Sequence, residues 1–386
     1  MPGIITTLLS PRLTEGKRNV AVYRVGRFRV EPGVFPGLAL VSSHSLNRVD
    51  LLRIGTLGSS RISLPALIEP AASVAGVTVT AVAARDKSRA DAFALRHGIP
   101  VAYGSYEDLL TDPDIDAIYN PLPNSLHGSW TLQAIAAGKH VLCEKPFTSN
   151  AEEAAWVADA AAASGLVVME AMHYRYHPLT RRLSELVIEL GPVRHIQCWT
   201  SFAISDPGDV RYDFDLGGGA LMDGGCYAID CLRLLAGDDP EVTGALADPC
   251  PPAPGRGPDE VADRSMAVRL AFPGGATGWF ESSFTVDGEF RADVHVICRG
   301  GQVRLQNFIF PRQGRLTATR NESVVVDEPG GGDSTYVGQL RAFAAAIAAG
   351  DGPVPTSAAH AVVTMRLIDD AYRAADLLPR PAKGQG

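Results

Sequence analysis

The sequence lacks the excess of basic charge, the paired cysteines and the long apolar runs that are typical of nucleic-acid-binding, zinc-binding and membrane proteins. It carries 35 lysine and arginine against 43 aspartate and glutamate residues, a net charge of -8, whereas nucleic-acid-binding domains are normally basic. Its six cysteines form no C-x-x-C pair, which argues against zinc ribbons and thioredoxin-like sites and is typical of reduced thiols. No apolar run reaches the ~18 residues that span a bilayer, and the first residues lack the regions of a signal peptide. We therefore expect a cytoplasmic protein with no metal, nucleic-acid or membrane partner.

The length and the composition indicate a globular protein of more than one domain. At about 150 residues per domain, 386 residues suggest two domains, and the 46% of hydrophobic residues is ordinary for a soluble protein. Residues 1–48 are rich in arginine and show no apolar period. We interpret them as a flexible extension or as the product of a start codon placed too far upstream, with an arm that wraps a neighbouring subunit as the alternative.

Residues 49–171 alternate short apolar strands with helical segments. The strands are continuously apolar, which is typical of a parallel sheet covered by helices on both faces. The predicted strands begin near Leu51, Val77, Ala117, His140 and Leu166. This pattern predicts an α/β domain of the dinucleotide-binding type.

Residues 172–386 show a different pattern, in which successive strand candidates are separated by turns that contain Gly, Pro and Asp. Long helices are expected only at about 219–235 and at the end, at about 356–378. We therefore predict an α+β domain with a large, mostly antiparallel open sheet. Because strands such as GATGWFESSFTV are strongly polar on neither face, we expect this sheet to form a homodimer or homotetramer.

The turn after the first strand is the candidate phosphate loop. A glycine-rich turn there lets a pyrophosphate approach backbone N–H groups at a helix N-terminus. Of the G-x-G-x-x-G pattern only the first glycine is present, and an ordinary turn is the alternative. The predicted cofactor contacts of the loop are Gly58, Ser59, Ser60, Arg61 and Ile62.

The end of the second strand predicts a preference for NADP over NAD. NAD-specific domains normally place Asp or Glu there to bind the ribose 2′-hydroxyl. This chain has Ala84 and Arg85 instead, with Lys87 and Arg89 close behind. A small residue leaves room for a 2′-phosphate and a guanidinium matches its charge, although Arg85 is alternatively a solvated loop residue and Asp86 complicates the interpretation.

Three further segments resemble one known family. They are YNPLPNSLH at 119–127, CEKP at 143–146 and GGGALMDGGCY at 217–227. Together they are similar to the glucose–fructose oxidoreductase and inositol dehydrogenase family (Gfo/Idh/MocA), over about residues 49–378. The tyrosine at 227 resembles the dihydrodiol, xylose and glucose–fructose branch. The resemblance implies a Rossmann domain, a C-terminal open sheet, NAD(P), and hydride transfer to or from a hydroxyl carbon of a carbohydrate-like small molecule.

The candidate catalytic residues are Lys145, Asp223 and Tyr227. Ligands bind at the carboxyl ends of parallel strands, where Lys145 lies, and Asp223 and Tyr227 are four residues apart on one helix face. We interpret Tyr227 as the proton carrier, Lys145 as the group that orients the hydroxyl, and Asp223 as a substrate-positioning group. Lys145 and the oxidised nicotinamide are expected to favour the tyrosinate. The alternatives are a core tyrosine, a capping aspartate and a solvated lysine.

Other polar residues complete the predicted site. The further cofactor contacts predicted at strand ends and loops are Asn120, Pro121, Leu122, Asn124, His127, Glu144, Lys145 and Arg175. The predicted substrate contacts are Lys145, His173, Arg211, Asp223 and Tyr227. For Arg211, and for its neighbours Asp209 and Tyr212, a surface loop is the alternative, whereas Asp230 is expected to be structural. His173 and His177 are four residues apart but precede Pro178, so we predict no metal there.

Two other functions stay open on the sequence. One is reduction of keto-sugars linked to nucleotides. The other, from a different class, is a regulator of the same fold that binds NAD(P) without chemistry.

Overall fold

The computed structural model describes residues 51–206, 208–284, 290–350 and 354–383, so the prediction for residues 1–48 lies outside the described residues. The strands are β1 Leu52–Leu57, β2 Val77–Ala83, β3 Val101–Tyr103, β4 Ala117–Asn120, β5 His140–Cys143, β6 Val168–Glu170, β7 Val193–Ser201, β8 Glu241–Pro249, β9 Asp263–Ala271, β10 Thr277–Ser283, β11 Arg291–Cys298, β12 Gly301–Gln306, β13 Arg315–Arg320 and β14 Ser323–Pro329. The α-helices are α1 Glu69–Ala71, α2 Lys87–His97, α3 Tyr106–Thr111, α4 His127–Ala136, α5 Ala151–Ser164, α6 Pro178–Glu189, α7 Cys226–Ala236, α8 Thr335–Ala349 and α9 Ala358–Ala374. π-Helical turns at Leu64–Ile68 and Leu221–Gly225 precede α1 and α7.

The first sheet contains β1 to β6 in the order β3-β2-β1-β4-β5-β6, and all of its pairs are parallel. This confirms the predicted Rossmann-type sheet. The strand order reverses between β1 and β4, so a crevice opens at their carboxyl ends, where ligands bind in such sheets.

The second sheet contains β7 to β14 in the order β14-β13-β12-β11-β7-β10-β9-β8. Its pairs are antiparallel except for β7 with β10, which confirms the predicted mostly antiparallel sheet. Its inner face is apolar and includes Ile196, Phe280 and Val294, which pack in one buried cluster with Ile229 of α7 and Ile368 of α9. This packing presses α7 against the sheet and fixes where its first turn lies.

Several elements of the second half are ones that the sequence pattern did not reveal, namely α6, α8, β13 and β14. The helix α8 is not part of the second sheet's core. Its Val337, Leu340 and Phe343 instead pack with Leu52 and Ile54 of β1, so the chain returns to the first sheet near its end. Within the described ranges, no helix is long and apolar enough to cross a membrane.

Candidate active site

The candidate site lies where the ends of β4 and β5 face residues 216–227 of the second half. Two hydrogen bonds join the loop after β4 to the second half. The amide of Asn124 donates from Nδ2 to the carbonyl oxygen of Gly217 at 2.8 Å, and the backbone N–H of Ser125 donates to that of Leu216 at 3.2 Å. The predicted cofactor residue Asn124 therefore also connects the two halves of the site.

Lys145, which follows β5 and is joined to Pro146 by a cis peptide bond, meets Asp223 at the centre of the site. Its Nζ lies 2.6 Å from Oδ1 of Asp223 and donates to the backbone oxygen of the same residue at 3.0 Å. Arg211 approaches from the other side, with Nε 2.9 Å from Oδ2. An ammonium has three donors, so one N–H of Lys145 has no acceptor among the described residues and is available to a substrate oxygen.

The charges of this cluster reinforce one another. Burial works to raise the pKa of Asp223, but the charges of Lys145 and Arg211 outweigh it and hold the pKa below its usual range. Burial likewise works to lower the pKa of Lys145, and Asp223 reverses that direction. Both groups are therefore ionised at neutral pH.

Tyr227 lies in the first turn of α7 beside this pair. Its ring centroid is 5.1 Å from Nζ of Lys145, and the residue is 6% exposed. Within the described part of the chain, no group forms a hydrogen bond to its hydroxyl. Burial raises its pKa well above 10, and the nearby Tyr336 and Glu144 add to the rise. Burial therefore opposes the tyrosinate here, and the expectation that Lys145 together with an oxidised nicotinamide favours it stays a prediction.

Aromatic rings close the site around His173. Nδ1 of this residue lies 2.8 Å from Oγ1 of Thr335, whereas its Nε2 is buried without a partner in the described structure. The ring lies 4.2 Å from that of Tyr336 and 5.6 Å from that of Tyr227, measured between centroids. Burial lowers the pKa of His173 to about 3, so the imidazole is neutral and one of its nitrogens can serve a ligand. Tyr336 is absent from the predicted site, because α8 carries no recognisable motif.

The glycine run before Tyr227 is required by close backbone packing. A Cβ atom on Gly217 would lie 2.8 Å from Cβ of Asn124, and one on Gly218 would lie 2.5 Å from the carbonyl oxygen of Arg211. Gly219 has a φ of +134° and no space for a side chain. The run therefore allows Arg211, Asp223 and the β4 loop to converge.

The loop after β1 fits the phosphates of a dinucleotide. Gly58 has a φ of +79°, and a Cβ atom there would lie 3.2 Å from Leu122, which confines the loop against the β4 end. The N–H groups of residues 59–62 donate to no group of the described structure. Four free amide donors before a helix form the cradle that a pyrophosphate needs, although serines replace two of the expected glycines.

Two arginines follow β2, one shortly after the strand and one in the first turn of α2. Arg89 donates to the hydroxyl of Ser59 at 3.5 Å, and Arg85 is exposed one residue past Ala84. Oδ1 of Asp86 caps α2 by accepting from the N–H of Ser88 at 2.8 Å. Lys87 is paired with Asp91 on the surface of α2. Arg89 is thus a candidate that the predicted site omitted.

Three residues predicted to contact the cofactor use their side chains within the protein. The amide of Asn120 donates to the carbonyl oxygen of His127 at 3.1 Å. The ring nitrogens of His127 each lie 2.7 Å from a backbone carbonyl oxygen, those of Pro146 and Leu122, and burial lowers the pKa of its ring to about 4. Glu144 accepts a hydrogen bond from the hydroxyl of buried Tyr119 at 2.7 Å. These side chains hold the backbone that carries Lys145 and Leu122.

The charged residue of the loop after β6 is bound within the protein. Arg175 donates from Nε to Oδ2 of the fully buried Asp230 at 2.8 Å, and Tyr174 and His360 bind the same carboxylate. This agrees with a structural role for Asp230. His177 caps α6, and no group of potential metal ligands occurs in the ranges that the structure describes.

Comparisons with known proteins agree with this geometry. Residues 52–172 match the GFO_IDH_MocA model, an oxidoreductase family with an NAD-binding Rossmann fold, and residues 181–304 match the GFO/IDH/MocA C-terminal domain. The chain is 38% identical to D-xylose 1-dehydrogenase (NADP(+)) 2 of Haloferax volcanii over 84% of its length and 98% of that protein. It is 37% identical to trans-1,2-dihydrobenzene-1,2-diol dehydrogenase of Sus scrofa over 54% of this chain and 60% of that one. A 3-ketoreductase from Actinomadura kijaniata, solved in complex with NADP and TDP-benzene, is 26% identical with a TM-score of 0.74, over 82% of this chain and 96% of that chain.

Proposed function

Because this chain belongs to the Gfo/Idh/MocA family of oxidoreductases, we propose that it interconverts a hydroxyl and a carbonyl group on a sugar, polyol or dihydrodiol. The single observation that carries this proposal is the convergence of Lys145, Asp223 and Tyr227, with Nζ of Lys145 2.6 Å from the carboxylate and 5.1 Å from the tyrosine ring. Residues 49–171 would bind the dinucleotide and residues 172–386 would supply most of the substrate pocket.

The cofactor proposed is NADP, with NAD as the weaker alternative. The amides of residues 59–62 would hold the pyrophosphate, and Arg85 and Arg89 would hold the 2′-phosphate. Leu122 would line the crevice. When bound, the nicotinamide supplies or accepts the hydride.

The proton is handled by Tyr227. In the direction of reduction its hydroxyl donates the proton to the oxygen of the reacting carbonyl, and in oxidation the tyrosinate takes the proton back. A phenol whose pKa is raised by burial stays protonated at neutral pH, so its proton is present for an oxygen that becomes an alkoxide, which is the stronger base. The free N–H of Lys145 orients that oxygen and stabilises its developing charge.

Asp223 and Arg211 form the wall beside this oxygen. Asp223 is already bound to both cations, so its part is to hold Lys145 in place and to limit how the substrate enters. The side chain of Arg211 is 43% exposed, so Arg211 would lie on the solvent-facing side of the site. The unpartnered Nε2 of His173 is available to a hydroxyl group of the substrate or to the nicotinamide amide.

Two alternatives remain to be separated. A keto-sugar carried on a nucleotide would need a longer cleft, and the likeness to the 3-ketoreductase supports this option. A regulator that binds dinucleotide without chemistry would have no need for the paired Lys145 and Asp223 beside a tyrosine.

The test is turnover by the purified protein with aldoses, polyols, dihydrodiols and nucleotide-linked keto-sugars, each with NADP(H) and NAD(H). With the best substrate, Tyr227→Phe keeps the packing of the ring and removes the proton donor, so kcat should fall on the order of 10²- to 10⁴-fold while NADPH binding persists. Tyr103→Phe, which removes a phenol that donates to Asp112 outside the candidate site, is the matched control. Near-normal turnover by Tyr227→Phe would assign the proton to another group, and dinucleotide binding without any turnover would favour the regulator.

A further inference from the structure

We propose that Arg380, in the tail after α9, is a positioning residue that holds the Lys145 loop and the Tyr227 helix in their relative places. The inference rests on the proposed function for its catalytic consequence. Its structural basis is that this one residue is bonded to both segments of the site although it lies far from either in sequence.

On one side Arg380 fixes the segment that carries Asp223 and Tyr227. Its Nε donates to the carbonyl oxygen of Gly218 at 2.7 Å, and its Nη2 donates to Oδ1 of Asp263 at 3.1 Å. The other carboxylate oxygen of Asp263 accepts from the N–H of Leu221 at 2.7 Å. Leu221 begins the π-helical turn that contains Asp223, so the guanidinium determines where this turn starts.

On the other side the backbone of Arg380 fixes the segment that follows Lys145. The amide of Asn150 donates from Nδ2 to the carbonyl oxygen of Arg380 at 2.8 Å, while Oδ1 of Asn150 caps α5 by accepting from the N–H of Glu153 at 3.0 Å. The backbone N–H of Lys383 donates to the carboxylate of Glu153. The loop of residues 145–150 is therefore anchored to the tail at its far end.

The surroundings of Arg380 require the guanidinium itself. Its side chain and that of Asp263 are both 0% exposed, and its Nε, Nη1 and Nη2 each serve a different acceptor. The rings of Tyr372 and Phe214 lie 4.0 Å and 4.9 Å from the guanidinium carbon. A lysine has one nitrogen and no planar fork, so it cannot serve these acceptors together. Buried ion pairs add little net stability, and this geometry instead specifies position.

The consequence for the site is the distance between Lys145 and Asp223. These two residues are carried by the two segments that Arg380 connects, and their 2.6 Å contact leaves one donor of Lys145 for the substrate. Displacement of a reacting group by about 1 Å can lower a rate on the order of 10²-fold. Loss of the guanidinium should therefore act on catalysis more than on dinucleotide binding.

The experiment compares Arg380→Lys and Arg380→Ala in the full chain with Arg366→Ala, an exposed arginine of α9 that forms no ion pair within the described residues. Three quantities are measured, namely kcat, the Kd of NADPH by fluorescence, and amide hydrogen exchange of residues 144–150 and 217–227. We expect kcat to fall on the order of 10- to 100-fold, the Kd to change by less than about twofold, and exchange to become faster in both segments. Arg366→Ala should match the wild type in all three.

Three results would overturn the inference. One is unchanged exchange in either segment, and another is a kcat for Arg380→Lys within about threefold of wild type. The third is loss of NADPH binding together with activity in Arg380→Lys, or failure of that variant to fold, because either would show general support of the fold instead of positioning. If the wild-type protein turns over none of the substrates, the proposed function fails, and hydrogen exchange still decides whether Arg380 holds both segments.

Discussion

At the scale of single residues, Asp223 sets the charge of the candidate site. Its two oxygens are bound to Lys145 and Arg211, at 2.6 Å and 2.9 Å. Burial is the largest influence on the pKa of the neighbouring Tyr227 and raises it, and the negative charge of Asp223 adds to the rise. The tyrosine therefore holds its proton at neutral pH, which suits a proton donor in the direction of reduction.

The preference for NADP is expected to depend on two arginines. Arg85→Ala and Arg89→Ala should each reduce the ratio of kcat/KM for NADP over that for NAD, on the order of tenfold, because a charge-assisted contact to the 2′-phosphate contributes about 1.5–3 kcal/mol. The measurement is steady-state kinetics with both cofactors.

Lys87→Ala is the matched control for these variants, since Lys87 lies between the two arginines in sequence but is paired with Asp91. An unchanged ratio in both arginine variants would contradict the assignment of the 2′-phosphate site.

Glu170 is a buried acid that the proposed chemistry does not use. It ends β6, is 0% exposed, and both of its carboxylate oxygens lack hydrogen-bond partners in the described structure. Burial raises its pKa to about 8, and the nearby charge of Asp230 adds to the rise. The folded protein therefore carries a neutral carboxylic acid here at neutral pH.

This raised pKa predicts a pH-dependent stability. Between the unfolded pKa near 4.5 and about 8, the folded state binds more protons than the unfolded state, so the free energy of unfolding decreases as the pH rises. Glu170→Gln cannot ionise. Relative to wild type it should gain stability from pH 5 to pH 9, on the order of a few kcal/mol since one pKa unit is about 1.4 kcal/mol.

The measurement is urea unfolding of both proteins across this range, with exposed Glu152→Gln as the control. A difference between wild type and Glu170→Gln that does not vary with pH would show that Glu170 has an ordinary pKa.

At the scale of elements, the glycine run determines how α7 enters the site. A Cβ atom on Gly219 would lie 2.1 Å from Oδ1 of Asp263 and 2.7 Å from Nη2 of Arg380, and the φ of +134° is unfavourable for any side chain. Gly219→Ala should therefore lower the free energy of unfolding by about 2–4 kcal/mol and reduce kcat.

Gly274→Ala is the matched control, because a Cβ atom there meets nothing within 4 Å and the residue has no positive φ. Chemical denaturation and steady-state kinetics measure both effects. A Gly219→Ala protein as stable as the control would show that the run tolerates a side chain.

At the scale of the whole molecule, the outer face of the second sheet is the proposed interface between copies of this chain. The rings of Trp199 and Trp279 meet there at 5.5 Å between centroids, and Arg291 lies 4.1 Å above Trp199. These half-buried aromatics lie on the face opposite to the core residues Cys198 and Phe280, and interfaces are enriched in such residues.

We expect a homodimer or homotetramer in light scattering at micromolar concentration, and Trp279→Glu should shift it to a smaller species. Leu95→Glu, at an 88% exposed position on α2, is the control that should leave the mass unchanged. A wild-type monomer at this concentration would contradict the proposed interface.

The apolar pattern of the chain is enough to predict the two kinds of sheet and most of the elements. Continuous apolar strands alternating with helices specified the parallel sheet, and turn-separated strands specified the antiparallel one, because these patterns follow from which faces are buried. The sequence also placed Lys145 at a strand end and Asp223 and Tyr227 on one helix face, because both features depend on local geometry. The strands β13 and β14 were not found. The edge strand β14 has exposed apolar residues, among them Val324 and Val325, and so gives little alternating pattern.

Only the tertiary structure decided which polar groups are free and which are occupied. Asn120, His127 and Arg175 have residue types and positions that suit a cofactor, yet each is bound within the protein. Tyr336 and Arg380 lie about 110 and 150 residues after Tyr227 in the chain, in segments that carry no recognisable motif. The reason is physical. Hydrogen-bond partners and burial depend on contacts between segments distant in sequence, and the same contacts determine the local charge around each ionisable side chain.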